Sequence, residues 1–216
     1  EIKFKVRHHY LNAIRRISLD LYQGETLAIV GESGSGKSVL IKSFTGMLES
    51  NGIITGGSIY FEGKDLTQKQ KNKEWQGIRG GSIATVFQDP MTSLNPVRTI
   101  GSQITEVIIK HQKVSKKEAK EQAIDLMQRV GIKDARNRFE DYPHQYSGGM
   151  RQRIVIAIAL ACRPKILICD EPTTALDVTI QAKILRLLKE IQQKTNVAII
   201  FITHDLGVVA NIADYV

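Results

Sequence analysis

The chain has 216 residues, of which 42% are hydrophobic, and carries a net charge of +8 at pH 7; this length allows one globular domain with a sizeable core. Its two cysteines, Cys162 and Cys169, lack the spacing of a zinc site or a disulfide framework, and its longest apolar run, residues 154–162, is about half of a membrane span. No signal sequence is visible, so we expect a cytosolic protein, and the basic charge alone does not distinguish binding to nucleic acid or an anionic membrane surface from simple solubility.

The first informative element is a predicted strand at residues 26–30 (TLAIV), followed directly by residues 31–38 (GESGSGKS). This segment has the form G-x-x-x-x-G-K-S, and an apolar-periodic stretch typical of a helix follows it. Glycines at this spacing let successive backbone N–H groups point at phosphate oxygens, while Lys37 reaches the β- and γ-phosphates and Ser38 offers a hydroxyl to Mg²⁺. We therefore predict a nucleoside triphosphate site here; a Gly-rich turn without a ligand is the weaker alternative.

Four apolar runs along the chain each end in a polar segment. The runs at residues 82–87, 165–169 and 197–203 end at Gln88, at Asp170 and Glu171, and at His204, and the run at 26–30 ends in the glycine-rich segment. Such near-continuous runs, separated by helical stretches, predict a parallel sheet covered on both faces. Because ligands bind beyond the carboxyl ends of the strands in open α/β sheets, we expect these polar residues to converge on one site.

Three helices are predicted from their start and stop signals. Ser115 opens a capping box (SKKE), and that helix should end at Gly131. Ser147 begins a second helix that is apolar on every face and should end before Pro164. Asp177 begins a third, amphipathic helix. The second helix is therefore expected to be buried.

A large insert separates the two halves of the predicted nucleotide site. The strand at residues 166–170 (ILICD) is typical of a second NTPase signature, yet Asp170 lies 133 residues beyond Lys37. The intervening residues 96–146 are helical by their caps and end at Ser147, which two glycines follow. A serine and two glycines at a helix start form a second phosphate-type site, with a hydroxyl, bare N–H groups and the positive end of the helix dipole. A monomeric NTPase has no use for two such sites.

In order and spacing, these motifs resemble those of ABC-type ATPase domains. The matching segments are residues 31–38 (Walker A), Gln88 (Q-loop), 147–149 (signature), 166–171 (Walker B), 175–177 (D-loop, beginning at Ala175) and 203–205 (switch histidine). The resemblance implies an α/β fold of the P-loop NTPase, RecA-like type, with a parallel-sheet core, a small antiparallel β region and an inserted helical subdomain. It also implies that two cassettes dimerise head to tail, with ATP between the phosphate loop of one and the signature helix of the other.

The same resemblance divides the chain into two parts. Residues 1–95 and 160–216 are expected to form the nucleotide-binding core with its N-terminal β region. Residues 96–159 are expected to form the helical subdomain that carries the signature. Because the sequence stops inside an apolar run at Val216, we also expect the C-terminus to be truncated.

The resemblance assigns a role to each motif residue. Glu171 is expected to be the general base, His204 to contact the γ-phosphate and polarise Glu171 and water, and Gln88 to complete the catalytic set. Ser38 and Gln88 are expected to ligate Mg²⁺ and Asp170 to hold it through water. An acidic turn and a structural strand-end histidine are the alternatives for Glu171 and His204. The residues expected to bind ATP are Gly31, Ser33, Gly34, Ser35, Gly36, Lys37, Ser38, Val39, Phe4, Ser147, Gly148, Gly149 and Asp177.

Two features depart from the family pattern. The signature reads Tyr-Ser-Gly-Gly-Met, with Tyr146 and Met150 in place of the commoner leucine and glutamine, which leaves Ser147 and the glycines intact but changes what packs beside them. The resemblance implies an aromatic residue that stacks on adenine, and Phe4 is expected to be that residue by the family spacing to Gly31, with Tyr10 as the alternative. Either ring could instead belong to the core.

Three further stretches are similar to the oligopeptide, dipeptide and nickel importer ATPases: residues 87–96 (FQDPMTSLNP), 142–146 (YPHQY) and 171–182 (EPTTALDVTIQA). This implies a peripheral ATPase subunit at the cytoplasmic face of the cell membrane, coupled to oligopeptide or dipeptide import. The implied partners are a second homologous ATPase in a heterodimer, integral permease subunits and, indirectly, a substrate-binding protein, without nucleic acid. Two alternatives stay open: an ABC-type ATPase that acts on nucleic acid or ribosomes, and a regulatory module that closes on ATP without turnover.

Overall fold

The computed structural model describes residues 1–68, 72–75, 77–174 and 176–216. The strands in these residues are β1 (Ile2–Val6), β2 (His9–Ile14), β3 (Thr26–Val30), β4 (Gly52–Ile54), β5 (Tyr60–Phe61), β6 (Lys64–Asp65), β7 (Ile83–Val86), β8 (Ile166–Asp170) and β9 (Ala198–Thr203). The α-helices are α1 (Lys37–Phe44), α2 (Asn72–Trp75), α3 (Pro90–Ser93), α4 (Ile100–His111), α5 (Lys116–Arg129), α6 (Gly148–Leu160), α7 (Val178–Thr195) and α8 (Leu206–Ile212).

The centre of the fold is a parallel sheet with the strand order β3-β9-β8-β7. The four predicted apolar runs are these four strands, within one residue at each end. Val30 pairs with Thr203, and Asp170 pairs with Ile202. The carboxyl ends of the strands are therefore aligned along one edge, as the sequence predicted.

Apolar side chains cover both faces of this sheet, because its strands alternate between two layers. Leu167 and Cys169 lie in the large cluster that helices α4 to α7 build on one face. Ile168 lies in a smaller cluster on the other face, together with Ile200 and with Ile41 of α1. The predicted α/β architecture, with helices packed on a buried parallel sheet, is thus confirmed.

The small antiparallel β region lies beside α1. β1 pairs with β2 and β4, and β5 pairs with β6. Ile2 and Ile14 from this region pack with Leu40 of α1 in a third apolar cluster. The β region therefore contacts the helix that the glycine-rich segment opens.

The three predicted helices have the predicted ends. Ser115 and Glu118 form the reciprocal capping box of α5, and Gly131 follows this helix with a left-handed φ of 81°. Ser147 caps α6, most of whose side chains are buried, and Asp177 caps α7. The helices of residues 96–159 share one apolar cluster with the sheet, and the proposed division into core and helical subdomain stays a prediction.

An aromatic and cationic pair holds the C-terminal end of α1. Arg79 donates hydrogen bonds of 2.7 Å from Nε to the Thr45 carbonyl and from Nη2 to the Gly46 carbonyl. Its guanidinium also lies 5.6 Å from the centre of the Trp75 ring. Gly46 has a φ of 62°, and a Cβ there would lie 2.2 Å from Cε2 of Trp75. This contact requires glycine, and it fixes the end of α1 opposite the glycine-rich segment. Within the described ranges, no helix has the length and apolar character needed to cross a membrane.

Candidate functional site

The glycine-rich segment forms a tight loop between β3 and α1. Gly34 and Gly36 adopt left-handed φ values of 84° and 98°, which favour glycine. A Cβ at Gly36 would lie 2.8 Å from Cδ1 of Ile14 and 3.0 Å from the carbonyl oxygen of Ala13. Gly36 is also the residue that caps α1. The glycines therefore place the loop at a helix N-terminus, where backbone N–H groups and the helix dipole favour an anion.

The Lys37 side chain folds back over this loop. Its Nζ donates hydrogen bonds to the carbonyl oxygens of Gly31 (2.6 Å) and Glu32 (2.7 Å) and lies 3.5 Å from Oγ of Ser35. The ammonium group is thus held inside the loop, close to the bare backbone. Ser33, Ser35 and Ser38 are exposed on the loop and the first turn of α1.

Glu171 is the point at which three of the strand ends meet. Its Oε2 accepts a hydrogen bond of 3.3 Å from Nε2 of Gln88, and its Oε1 lies 3.3 Å from Nδ1 of His204. These residues follow β8, β7 and β9 respectively, and the Glu171 side chain is only 19% exposed. The structure therefore brings together all three residues predicted to be catalytic.

Thr174 also contacts Glu171, although it is not among the residues predicted for the site. Its Oγ1 donates a hydrogen bond of 3.0 Å to Oε2 of Glu171. Glu171 itself has a left-handed φ of 47°, unusual for a residue with a side chain. Its N–H donates to the Ile202 carbonyl at 3.1 Å. A hydroxyl three residues after the carboxylate, in the turn that leaves β8, is the signal that could have identified Thr174.

Asp170 lies at the end of β8, beside the loop. Burial raises the pKa of its carboxyl group, and the neighbouring Glu171 carboxylate raises it further, whereas Lys37 and the hydroxyl of Ser38 lower it. The surrounding protein groups therefore do not fully offset the cost of a negative charge on Asp170. A divalent cation bound by Ser38 and Asp170 would supply that compensation, so the residues present fit Mg²⁺.

The predicted second half of the site lies at the start of α6. Ser147 accepts a hydrogen bond of 3.4 Å from the N–H of Met150 as the helix cap. A Cβ at Gly149 would lie 2.5 Å from Cγ2 of Ile180, so this glycine allows α6 to approach α7 closely. Gly148 has more room, because the nearest atom to its Cβ position, in Leu176, would be 3.9 Å away. Among the described residues, the hydrogen bonds of the phosphate loop and those of Ser147 have no residue in common, and the assignment of the two halves to different sites stays a prediction.

Three other predicted residues have ordinary structural contacts, and a fourth is largely exposed. Phe4 and Val39 are partly buried against the cluster of Ile2, Ile14 and Leu40, whereas Tyr10 is 54% exposed. Asp177 caps α7 by accepting a 2.9 Å hydrogen bond from the N–H of Ile180. Contacts of these four residues with a nucleotide stay predictions, and Ala175 of the predicted D-loop lies outside the described residues.

Together these residues supply what phosphoryl chemistry requires. The loop offers backbone N–H groups and one lysine for phosphate oxygens, Ser38 and Asp170 offer oxygens for a cation, and Glu171 offers a carboxylate held by hydrogen bonds. His204 lies where it can bridge that carboxylate and a bound group. The arrangement can therefore bind a nucleoside triphosphate and direct a water at it.

Comparison with known proteins agrees with this chemistry. A family model described as ABC transporter matches residues 14–174. The oligopeptide transport ATP-binding protein AmiE of Streptococcus pneumoniae serotype 4 is 68% identical over 215 residues, which are 100% of this chain and 61% of that protein. The dipeptide transport ATP-binding protein DppD of Bacillus subtilis strain 168 is 58% identical over 95% of this chain and 62% of its own length. The chain thus spans about three fifths of the length of these relatives.

Solved structures share the fold over almost the whole chain. The ATP-binding cassette MJ0796, in a dimeric post-hydrolysis state bound to ADP and Pi, is 27% identical with a TM-score of 0.82, covering 98% of this chain and 91% of that one. CbiO1 from Clostridium perfringens, part of the ABC transporter complex cbiONQ, is 28% identical with a TM-score of 0.82, covering 99% of this chain and 82% of that one.

Proposed function

This chain belongs to the ABC transporter family, and from that premise we propose that it is the ATP-binding and ATP-hydrolysing part of an importer subunit for oligopeptides or dipeptides. The names of its relatives support the substrate class, since they are oligopeptide and dipeptide transport ATP-binding proteins. Those names favour transport over action on nucleic acid or ribosomes.

The observation that carries the catalytic part is the set of contacts on Glu171. The Glu171 carboxylate contacts Gln88, Thr174 and His204. It lies at the same edge of the sheet as the end of β3, where the phosphate loop begins. A carboxylate oriented from several sides can accept the proton of an attacking water. Glu171 is therefore the general base, and His204 positions both Glu171 and the γ-phosphate. These contacts support turnover over a module that closes on ATP without hydrolysing it.

The remaining site residues bind the nucleotide. Backbone N–H groups between Gly34 and Ser38 cradle the phosphates, and Lys37 neutralises their charge. Ser38, Gln88 and Asp170 would hold Mg²⁺ at this site. When bound, Mg²⁺ neutralises the charge that develops on the phosphate oxygens.

A second cassette completes each site. Ser147 and the glycines of α6 would contact the nucleotide held by the other cassette, and the dimeric state of the similar cassette MJ0796 supports this arrangement. The second cassette is a homologous ATPase subunit, which forms a heterodimer with this one. The pair binds integral permease subunits at the cytoplasmic face of the cell membrane as a peripheral component, and a substrate-binding protein acts indirectly. Nucleic acid is not a partner.

Uptake of a labelled peptide tests this function. Cells whose only copy of the full-length protein carries Glu171→Gln should lose uptake of a labelled oligopeptide, whereas the exposed replacement Glu190→Gln should leave it unchanged. The permease subunits should co-purify with both variants from detergent-solubilised membranes. Normal uptake in the Glu171→Gln cells, or an absence of co-purifying membrane subunits, would contradict the proposal.

A further inference from the structure

Both residues that distinguish this signature from the commoner form contact the same side chain, Arg138. The guanidinium of Arg138 lies 4.2 Å from the centre of the Tyr146 ring, a cation–π distance. Its Nη1 lies 3.8 Å from the sulfur of Met150. The tyrosine and the methionine are therefore not independent changes, since one cation packs against both.

Further hydrogen bonds join Arg138 to the segment that leads into α6. Nη2 of Arg138 donates to the Gln145 carbonyl at 3.0 Å, and the Tyr146 hydroxyl donates to the Arg138 carbonyl at 2.7 Å. Tyr146 is only 3% exposed. A leucine at position 146 could make neither the hydroxyl bond nor the ring contact.

These contacts lie on both sides of Ser147. Gln145 and Tyr146 immediately precede Ser147, and Met150 is the residue whose N–H the Ser147 hydroxyl caps. We propose that Arg138 is the positioning residue that sets the place of Ser147 at the start of α6, and thus the fit of this serine to a nucleotide held by the second cassette. The proposal rests on the function proposed above, because it specifies how the signature half of the site is aligned.

Arg138 is itself held in place. Asp141 accepts a 2.9 Å hydrogen bond from its Nε, and both side chains are about one quarter exposed. The Asp141 carbonyl accepts a hydrogen bond of 2.8 Å from the N–H of Ile100 at the start of α4. Arg138 and Asp141 therefore link the position of Ser147 to the first turn of α4. A planar guanidinium suits this role because it can stack on a ring while its fork donates to several acceptors at once.

A mutant cycle in the full-length protein tests the proposal. The variants are Arg138→Gln, Tyr146→Leu, the double variant and Tyr146→Phe, which removes only the hydroxyl. Arg136→Gln is the matched control, because Arg136 lies two residues away and pairs with Glu121 on the surface. For each variant, the measurements are kcat and KM for ATP at saturating protein concentration, the Kd of a fluorescent ATP analogue for the dilute protein, and the Tm.

Arg138→Gln should lower kcat about tenfold, the effect of losing one or two desolvated polar contacts. Its Kd for the nucleotide analogue in dilute protein should stay within about twofold of wild type. The kcat of Arg136→Gln should also stay within about twofold of wild type. The double variant should be no more than about twofold worse than the worse single variant, because both changes remove one interaction. Tyr146→Phe should give a smaller fall in kcat and keeps the test valid if Tyr146→Leu fails to fold.

Three results would overturn the proposal. The first is a wild-type kcat for Arg138→Gln, and the second is additive losses of kcat in the double variant. The third is a loss of kcat that is fully explained by a lower Tm or by weaker nucleotide binding to the dilute protein. A wild-type protein without ATPase activity would overturn the proposed function as well. If wild type and Arg138→Gln were equally active, only the role of Arg138 would be overturned.

Discussion

The side-chain amide of Gln88 donates a 3.3 Å hydrogen bond to the carboxylate of Glu171, joining the ends of two neighbouring strands, β7 and β8. On the other side of β8, His204 reaches the same carboxylate from the end of β9. A displacement of either outer strand end would therefore change the hydrogen bonds of Glu171. This geometry makes the expected base sensitive to anything that moves the segment after Gln88.

Glu171→Gln should lower ATP hydrolysis by about 10²–10⁴-fold, because it removes the proton acceptor and keeps the shape and hydrogen-bonding capacity of the side chain. ATP should still bind, so an ATP-bound dimer should accumulate. Turnover assays beside size-exclusion chromatography with ATP·Mg²⁺ measure both effects in the full-length protein. Glu190→Gln is the control for the loss of a surface carboxylate, and wild-type turnover in Glu171→Gln would remove the catalytic assignment.

Lys37→Ala and Ser147→Arg should separate the two halves of the site. Lys37→Ala should weaken nucleotide binding roughly 10–100-fold, since a hydrogen bond to a charged group contributes about 1.5–3 kcal/mol. Ser147→Arg should leave this first binding step unchanged and block dimer closure. Titration of a fluorescent ATP analogue into dilute protein measures the first step, with the exposed Lys183→Ala as control. Equal losses of binding in both variants would contradict a site built from two chains.

Asp170→Asn should raise the Tm of the nucleotide-free protein. Because the pKa of Asp170 is raised in the folded chain, the folded state holds this proton more readily than the unfolded state. Stability therefore falls as pH rises through the raised pKa, and at neutral pH the ionised carboxylate destabilises the fold. Asparagine removes that destabilisation. The difference in Tm between Asp170→Asn and wild type should therefore become smaller as the pH is lowered.

ATP·Mg²⁺ should reverse this difference, so that wild type has a higher Tm than Asp170→Asn. Asp170→Asn should weaken Mg²⁺-dependent ATP binding by about 10–100-fold, the usual effect of losing an outer-shell partner of a metal. Thermal shifts with and without ATP·Mg²⁺ measure both effects, and Asp20→Asn serves as the control for the loss of one exposed negative charge. If Asp170→Asn lowered the Tm of the nucleotide-free protein, the buried-charge argument would be wrong.

Gly149→Ala should destabilise the fold by about 1–3 kcal/mol, because the new methyl group would lie 2.5 Å from Cγ2 of Ile180. For a chain of this size, each kcal/mol lowers Tm by roughly 2–4 °C. Gly148→Ala is the matched control, since its Cβ meets only Leu176 at 3.9 Å. Ile180→Ala should relieve the clash in a Gly149→Ala background. Thermal unfolding of these three variants beside wild type is decisive, and equal Tm values for the two glycine replacements would refute the packing argument.

The sequence predicted those parts of the site that depend on position along a strand. Gln88, Glu171 and His204 each follow an apolar run, and parallel strands align their carboxyl ends, so convergence followed without knowledge of any contact. The loop glycines were predictable for a similar reason, because a local backbone conformation selects them. The helix caps Ser115 and Asp177 carry their own local signals.

Contacts between distant segments were not predictable in this way. Thr174 reaches Glu171 because of the turn after β8, and the close approach of Gly149 to Ile180 depends on how α6 crosses α7. Arg138 lies eight residues before Tyr146, and its contacts depend on two short 3₁₀ helices between α5 and α6, Asn137–Glu140 and Pro143–Gln145. Apolar periodicity fixes which face of a helix is buried, yet it does not specify which side chain of a neighbouring element meets it.

The position of Trp75 gives the protein a built-in optical signal. This residue is the single tryptophan of the chain, and its ring lies against Gly46, two residues after the end of α1, and 5.6 Å from the guanidinium of Arg79. The first residue of that helix is Lys37, seven positions before its last residue, Phe44. A rigid helix that shifts along its axis when phosphate binds would change the distance between the indole and that cation. Emission from the unlabelled protein would then report phosphate binding at the loop from the opposite end of α1.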